Sequence, residues 1–352
     1  MAYTTINKST DYFSNKLYTG NGGTQSITGV GFQPDLSWIK SRTTSDTHAW
    51  YDAVRGATKR IKSPSNDAET TQSTALTSFD SDGFSIGSGG DVNTNSANYV
   101  SINWKSNNSA GSSNTDGSIT STVSANTTAG FSIVKYVGTG SSSNSTVGHG
   151  LGVKPAMIIV KNLGSTGNWV VWHKSLASET NSYLRFDTTG AVGTTTNYWN
   201  SSAPTNQVFG VSPDGYNNNK SGENIIAYCF AEKTGYSKMG SFVGNGNADA
   251  PFIYCGFKPK WFLWKSATDT TNANWNLVNS TAQVYNGADA GYLMANDTGA
   301  ETGFSGNQID FVSNGMKLRQ SSSYHNNNGQ TYIYMAFGQS LVGSNNVPCT
   351  AR

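Results

Sequence analysis

Hydrophobic residues in this chain recur in short runs separated by polar turns. Three of these runs begin at a proline and end six positions later at a lysine: residues 34–40, 155–161 and 259–265. The second and third are apolar at successive positions, through Met157-Ile-Ile-Val160 and Trp261-Phe-Leu-Trp264. Because a strand with one wet face would alternate, these two runs predict strands that are covered on both faces.

Three further runs alternate with a period of two: residues 99–104, 225–230 and 332–337. Each follows a polar turn rich in Asn, Ser, Gly or Lys, and no stretch of the sequence has a convincing helical period. Short alternating strands with closely spaced turns predict an all-β fold of antiparallel β-sandwiches.

Both kinds of run occur three times in the same order, and each copy also has a Gly-X-Gly turn and a Gly-X-X-Pro corner. Repetition of about a hundred residues predicts one module copied in tandem, here three β-sandwich modules of jelly-roll or lectin-like type. The expected divisions are an N-terminal arm, 1–11; repeat 1, 12–108; repeat 2, 109–233, which begins with a linker; repeat 3, 234–338; and a C-terminal tail, 339–352. We expect the arm and the tail to be free to dock on a neighbouring subunit.

Charge and composition exclude several classes of protein. Charged residues make up 12% of the 352-residue chain and the net charge is +2, without a basic block, which argues against a nucleic-acid partner. No apolar run approaches the ~18 residues that a membrane span requires, so membrane insertion is not expected. Aromatic residues are also 12% of the chain, more apolar mass than a disordered protein carries.

The three cysteines follow no metal-binding or redox spacing. Cys229 and Cys255 lie in strand-like runs and are predicted to be buried free thiols, with a disulfide between them as the alternative. Cys349 is interpreted as a tail residue.

Two short motifs have the residue types of a binding site. Asp80-Ser-Asp82-Gly83 fits a turn that joins two strands, and the alternative is a calcium ion held by Asp80 and Asp82, although the further ligands of a full calcium loop are missing. His149 lies between two glycines, which we expect to expose its ring; a turn histidine is favoured over a binding residue. No other cofactor is expected.

Lysines and aromatic residues supply the remaining candidates. Lys40, Lys161 and Lys265 are expected to lay their stems on the core and hold their ammonium groups in water or in an ion pair with a loop, with a repeated ligand contact as the alternative. Most aromatic clusters are interpreted as core. Tyr198 and Trp199 lie in a loop-like segment, and Trp199 is expected to be exposed and able to contact a glycan or a partner.

One set of motifs resembles a module of marine tailed-phage virion proteins, of the kind found in cyanophages and pelagiphages. In repeat 1 the motifs are residues 18–22, 31–34, 38–40, 52–56, 78–84 and 99–104. Repeat 2 follows the same pattern, repeat 3 lacks the Asp-X-X-Arg-Gly segment, and the resemblance covers essentially the whole chain. It implies a tail-fibre or other virion structural protein at the particle surface, and it carries over no catalytic residue.

Three functions therefore compete. The first is a non-enzymatic surface appendage that contacts the host, made in the host cytoplasm, with other virion proteins and a host-surface glycan as partners and a homo-oligomer, preferably a trimer, as its assembly. Weak contacts multiplied by copy number would supply avidity. The second is a purely structural decoration or adaptor of capsid or tail. The third is a polysaccharide depolymerase, disfavoured because Asp and Glu together number only 21.

Overall fold

The fold is nearly all β, with several antiparallel sheets, as the sequence predicts. The computed structural model describes residues 4–141, 145–212, 217–282, 291–303 and 308–342. Within these ranges the helical elements are one 3₁₀ turn, Ser9–Asp11, and one α-helix, α1 (Gly90–Asn93). None of the described helices is long and apolar enough to cross a membrane.

The strands are short and follow the predicted runs. Repeat 1 contains β1 (Phe13–Thr19), β2 (Gln25–Thr28), β3 (Leu36–Ser41), β4 (Ala49–Asp52), β5 (Lys59–Lys62), β6 (Thr70–Thr71), β7 (Leu76–Asp80), β8 (Gly83–Ile86) and β9 (Asn98–Trp104). Repeat 2 contains β10 (Ser112–Asn114), β11 (Ser121–Asn126), β12 (Phe131–Val137), β13 (Ser145–Gly148), β14 (Met157–Asn162), β15 (Val170–His173), β16 (Ser182–Arg185), β17 (Gly193–Thr194), β18 (Val208–Val211) and β19 (Asn224–Phe230).

Repeat 3 contains β20 (Ser237–Val243), β21 (Phe252–Tyr254), β22 (Lys258–Ser266), β23 (Asn276–Asn279), β24 (Gly291–Met294), β25 (Thr302–Gly303), β26 (Ile309–Val312), β27 (Gly315–Leu318) and β28 (Thr331–Gln339). Pro259 was expected to precede its strand, but it lies inside β22, where the pairing with β28 shifts register between Pro259 and Trp261. A bulge of this kind tolerates a residue without an amide hydrogen.

The order of strands in the large sheet is the same in all three repeats. It is β1-β9-β3-β4-β5-β6 in repeat 1, β12-β19-β14-β15-β16-β17 in repeat 2 and β20-β28-β22-β23-β24-β25 in repeat 3. In each, the last long strand of the repeat lies between the strand that leads into the Gly-X-Gly turn (β1, β12 or β20) and the strand that carries the repeated lysine (β3, β14 or β22). Repeat 2 adds β10 and β11 beside β12, so part of its expected linker is strand. Smaller sheets are β2-β8-β7, β13-β18 and β21-β27-β26.

The central strands of each large sheet are buried on both faces. One face packs against the small sheet of its own repeat, as where Ile39 of β3 joins the cluster that holds Phe84 of β8. The other face enters a single core to which all three repeats contribute. The prediction that β14 and β22 are covered on both sides is confirmed, because their central residues are buried without alternation.

The shared core centres on one aromatic side chain from each repeat. Trp104, Phe230 and Phe337 occupy matching positions near the ends of β9, β19 and β28. Their ring centroids are 6.0 Å apart for Trp104 and Phe230, 6.1 Å for Phe230 and Phe337, and 5.8 Å for Trp104 and Phe337. All three pairs meet edge to face, the arrangement that aromatic rings prefer. The near-equal sides place a pseudo-threefold axis through this triangle.

Hydrogen bonds join each of the three pairs of repeats, so the repeats form a closed ring. The Nε1 atom of Trp169 in repeat 2 donates to the main-chain oxygen of Lys62 in repeat 1, at 3.0 Å. Trp275 in repeat 3 makes the same bond to Arg185 in repeat 2, at 2.8 Å. Repeat 1 returns to repeat 3 through the Ser63 hydroxyl, 2.6 Å from the Ala295 carbonyl oxygen.

The N-terminal arm packs on the chain itself. Ile6 is buried in the shared core, and the amide of Ser9 donates to Oε1 of Gln339 at 2.6 Å. The expectation that the arm is free to dock elsewhere is wrong at Thr4, Ile6 and Ser9, which are buried against the rest of the chain, whereas residues 5, 7 and 8 are exposed. Of the predicted tail, residues 343–352 lie outside the described residues.

Candidate functional site

Trp199, which was expected to be exposed, and its neighbour Tyr198 are both buried. Trp199 is fully buried and its Nε1 atom donates to the Ser182 carbonyl oxygen at 3.0 Å. The Tyr198 hydroxyl accepts a hydrogen bond from the Asn217 amide at 3.2 Å. The expected exposure of Trp199 is therefore wrong: its loop-like segment folds inward because the indole fills the cluster between the two sheets of repeat 2.

His149 is buried rather than exposed by its flanking glycines. Its Nδ1 atom accepts the Leu151 amide at 3.2 Å and its Nε2 atom lies 3.3 Å from the Thr205 carbonyl oxygen. Burial lowers the pKa of His149 to about 4. The expectation of an exposed ring is wrong. The imidazole is neutral near pH 7 and ties a turn to the main chain.

Asp80 and Asp82 lie in the turn between β7 and β8, so the prediction of a strand-joining turn is confirmed. The Asp80 carboxylate accepts bonds from the hydroxyls of Ser78 and Ser85, at 2.8 and 2.7 Å. Asp82 instead accepts two main-chain amides, those of residues 29 and 31, at 3.0 and 2.7 Å. These amides lower the pKa of Asp82. Among the described residues, no group of three or more His, Cys, Asp or Glu side chains is arranged to hold a metal ion.

The three repeated lysines are buried with their ammonium groups, so the expectation that these groups reach water is wrong. Lys40 donates to the carbonyl oxygens of its own loop, Ser41 at 2.7 Å and Thr44 at 3.3 Å. Lys161 and Lys265 bond to their own loops and also to the preceding repeat. Burial lowers the pKa to about 8 for Lys40 and Lys161, and to about 7 for Lys265.

A buried charge network joins repeats 1 and 2, and the sequence alone does not reveal it. Asp52 forms an ion pair with Arg55 and accepts the Tyr228 hydroxyl at 2.7 Å. Arg55 also pairs with Glu69 at 3.0 Å. Burial alone would lower the pKa of Arg55, but Asp52, with Tyr228 and Glu69, outweighs burial and raises it. Each charged group is hydrogen-bonded within the network, which indicates that the network stabilises the fold.

A buried asparagine secures the Gly-X-Gly turn in every repeat. The side-chain oxygens of Asn93, Asn219 and Asn326 accept the amide of the residue between the two glycines, at 2.8, 2.9 and 2.8 Å. The second glycine of each turn has a positive φ of 71°, 65° or 67°. Alignment of the repeats could have found these asparagines, since each lies before the alternating strand. Cys229 and Cys255 are buried and free, as predicted.

Among the described residues, the exposed aromatic side chains lie in repeat 3 rather than repeat 2. Phe252 and Tyr254 on β21 are 45% and 58% exposed. Tyr254 lies between two clefts and lines both. The smaller, about 210 Å³, is also lined by Thr234 and Lys238. The larger, about 330 Å³, is also lined by Ser313, Asn314, Ser340, Leu341 and Val342. These two clefts and the exposed rings of Phe252 and Tyr254 form a candidate binding surface.

Comparison with known proteins identifies a family. The model described as a domain of unknown function (DUF7483) matches residues 8–340. No curated protein and no solved structure matches the chain.

Proposed function

The chain belongs to the DUF7483 family, and we propose that it is a non-enzymatic structural protein of a phage particle, a tail-fibre-like surface appendage that contacts the host. We further propose that its repeats are three tandem β-sandwich modules of jelly-roll or lectin-like type. The threefold recurrence of one strand order supports the second proposal. The resemblance of residues 18–22 and 52–56 to virion proteins of marine tailed phages supports the first.

The observation that carries the proposal is the closure of three repeats on one buried aromatic core. Trp104, Phe230 and Phe337 meet at its centre, and neighbouring repeats are joined by hydrogen bonds from Trp169 and Trp275. Such a body presents three copies of a scaffold whose loops differ. This architecture suits an exposed particle component that must hold its shape and offer several weak contacts at once.

The polar side chains that could have served in catalysis are held by bonds within the protein, which supports a non-enzymatic role. His149 is buried and bonded to the main chain, and Asp80 and Asp82 serve turns. Asp52, a carboxylate that could have served a depolymerase, is committed to Arg55. Groups held in this way are poorly placed to exchange protons with a substrate.

The proposed function includes a homo-oligomeric assembly and other virion proteins as partners. A single chain already arranges its three repeats around an axis. Approximate threefold symmetry therefore requires only one copy of the chain, and a homotrimer would contain three such rings of repeats. Other virion proteins are the expected neighbours. The alternative is a decoration or adaptor of capsid or tail, which would have to bind without Ile6 and Ser9, because those two residues pack on the chain itself.

Localisation tests the proposal directly. We expect the protein in purified particles of the phage that encodes it, and density for its ring of three repeats at the particle surface by cryo-microscopy. Density on the tail would favour the appendage and density on the capsid the decoration, whereas absence from purified particles would contradict both. Release of oligosaccharides from host envelope polysaccharide by the purified protein would contradict the non-enzymatic role.

A further inference from the structure

Repeats 1 and 3 have the same backbone at the first strand of the small sheet, but the side chains that they expose there differ. Ile27 of β2 and Ile253 of β21 are equivalent buried residues, each followed by a residue that pairs with a glycine, Gly83 or Gly315. A Cβ at either glycine would lie about 2 Å from the carbonyl oxygen of that isoleucine, at 1.9 and 2.1 Å respectively. The backbone of the two strand pairs is therefore the same.

The solvent-facing residues on either side of this isoleucine have diverged. Repeat 1 has Ser26 and Thr28, both exposed, where repeat 3 has Phe252 and Tyr254. An aromatic ring left in water does not add to the stability of the sheet that carries it, because its apolar surface is not buried. Two of them side by side on one strand form an apolar patch where repeat 1 has hydroxyl groups, and such patches mark binding sites.

The surroundings of Tyr254 indicate the chemistry of the ligand. The larger cleft combines apolar surface from Leu341 and Val342 with the exposed polar residues Ser313 and Asn314. The smaller cleft adds the exposed Thr234 and the ammonium-bearing Lys238. The face of an aromatic ring can pack against the C–H groups of a sugar, and hydroxyl and amide groups beside that ring can hydrogen-bond to the O–H groups of the sugar. Together these protein groups are complementary to a sugar ring.

Two charged groups near the patch, Glu232 and Lys317, are paired already. Glu232, in the smaller cleft, forms an ion pair with Lys174 at 2.6 Å and accepts the Met239 amide at 2.9 Å. Lys317, which pairs with Phe252 across the strands, bonds to Asp249 at 2.7 Å. A ligand without charge therefore fits this surface better than a polyanion does.

We propose that Tyr254, Phe252 and the two clefts beside Tyr254 form a saccharide-binding site for neutral hexose or N-acetylhexosamine units. The Tyr254 ring stacks on the C–H face of one sugar, and Asn314, Ser313 and Thr234 bond to hydroxyl groups on either side. The site rests on the proposed host-contacting function, for which it supplies the ligand class. A protein partner fits less well, because a stable protein interface buries more than about 1,000 Å² in total, whereas these clefts are small and concave.

Saturation-transfer difference NMR on the intact protein tests the site. The probes are glucose, galactose, mannose, N-acetylglucosamine and their trisaccharides. We expect at least one probe to receive saturation, mainly at protons of one ring face. Tyr254→Thr, alone or with Phe252→Ser, restores the residues of repeat 1 and should weaken binding about tenfold. Tyr254→Phe, which keeps the ring, should retain it.

The control is Val243→Thr, which alters a 55% exposed apolar side chain elsewhere in repeat 3 and should leave binding unchanged. Equal thermal midpoints for all variants establish that each is folded. The proposal is overturned if no probe receives saturation, if Tyr254→Thr binds as the wild type does, or if Tyr254→Thr instead dissociates a dimer in sedimentation. Particle localisation is a separate measurement: a protein present on the particle that binds no sugar overturns this site alone.

Discussion

The Nζ atom of Lys161 donates a hydrogen bond to the main-chain oxygen of Asn66, 3.2 Å away across the boundary between repeats 2 and 1. Lys265 makes the corresponding bond from repeat 3 to Thr189 of repeat 2, at 3.1 Å. Carbonyl oxygens of their own loops complete the bonding of both ammonium groups, at 3.0 Å for Gly167 and 2.5 Å for Ala273. Two of the three repeated lysines, Lys161 and Lys265, are thus contacts between repeats, and their acceptors are carbonyl oxygens rather than carboxylates.

These lysines make folding stability rise with pH on the alkaline side. The pKa is lowered to about 8 for Lys161 and about 7 for Lys265, against about 10.4 when unfolded. Between these values the unfolded chain binds more protons, so the free energy of unfolding increases with pH. We expect urea unfolding to show greater stability at pH 9.5 than at pH 7.5. Buried tyrosines reverse the trend above about pH 10, because burial raises the pKa of Tyr228.

A pair of substitutions at Lys265 separates titration from packing. Lys265→Met removes the ammonium and Lys265→Arg keeps a charge that does not titrate in this range. Both should reduce the gain in stability between pH 7.5 and 9.5, by up to about 1.4 kcal/mol per pH unit. A gain that persists unchanged in both variants would contradict the assignment.

Acid should destabilise the protein through its buried histidines. Burial lowers the pKa of His173 to about 3, and its ring bonds to the Ser175 amide and lies 3.2 Å from the Tyr334 carbonyl oxygen. Because the folded-state pKa is below the unfolded value of about 6.5, this contribution is present above pH 6.5 and is lost as pH falls. His173→Asn introduces the residue that repeat 3 has at the equivalent position, Asn279. We expect its urea midpoint to fall less steeply than that of the wild type from pH 6.5 to 4; parallel curves would show that His173 does not titrate as inferred.

Removing only one partner of the ion pair between Asp52 and Arg55 should strongly lower the free energy of unfolding. Asp52→Asn removes the buried carboxylate of the pair, leaves Arg55 paired with Glu69 and takes a charged acceptor from Tyr228, which should cost about 3–5 kcal/mol of stability. Arg55→Met should cost a similar amount. The double variant should lose less than the sum of the two, because neither charge is then left alone. Additive losses in urea unfolding would contradict a coupled pair.

Much of the fold could be predicted from the sequence, because strand period and turn residues are local properties. The apolar runs of β14 and β22 predicted burial on both faces, but they could not indicate that the second face is shared by three repeats. That arrangement depends on pairs such as Asp52 and Tyr228, which are 176 positions apart. Trp199 was misjudged because its polar neighbours are typical of a loop, while its burial depends on the Ser182 carbonyl oxygen that accepts its indole hydrogen. Phe252 and Tyr254 could have been found by aligning β21 with β2, where only repeat 3 places aromatic residues beside the buried isoleucine.

The shared core should make all three repeats unfold together, and Trp104 is the position that tests this. Trp104→Ala removes one corner of the triangle, and with it the ring contacts to both Phe230 and Phe337, and should cost about 3–5 kcal/mol. Trp104→Phe introduces the residue of the other two repeats and should cost less, about 1–2 kcal/mol, because it keeps a ring and removes an indole N–H that has no hydrogen-bond partner among the described residues. Calorimetry, far-ultraviolet circular dichroism and tryptophan fluorescence should report one transition at a lowered midpoint for Trp104→Ala. A second transition that stays at the wild-type midpoint would mean that repeats 2 and 3 remain folded without repeat 1, and that the core is not the cooperative centre of the molecule.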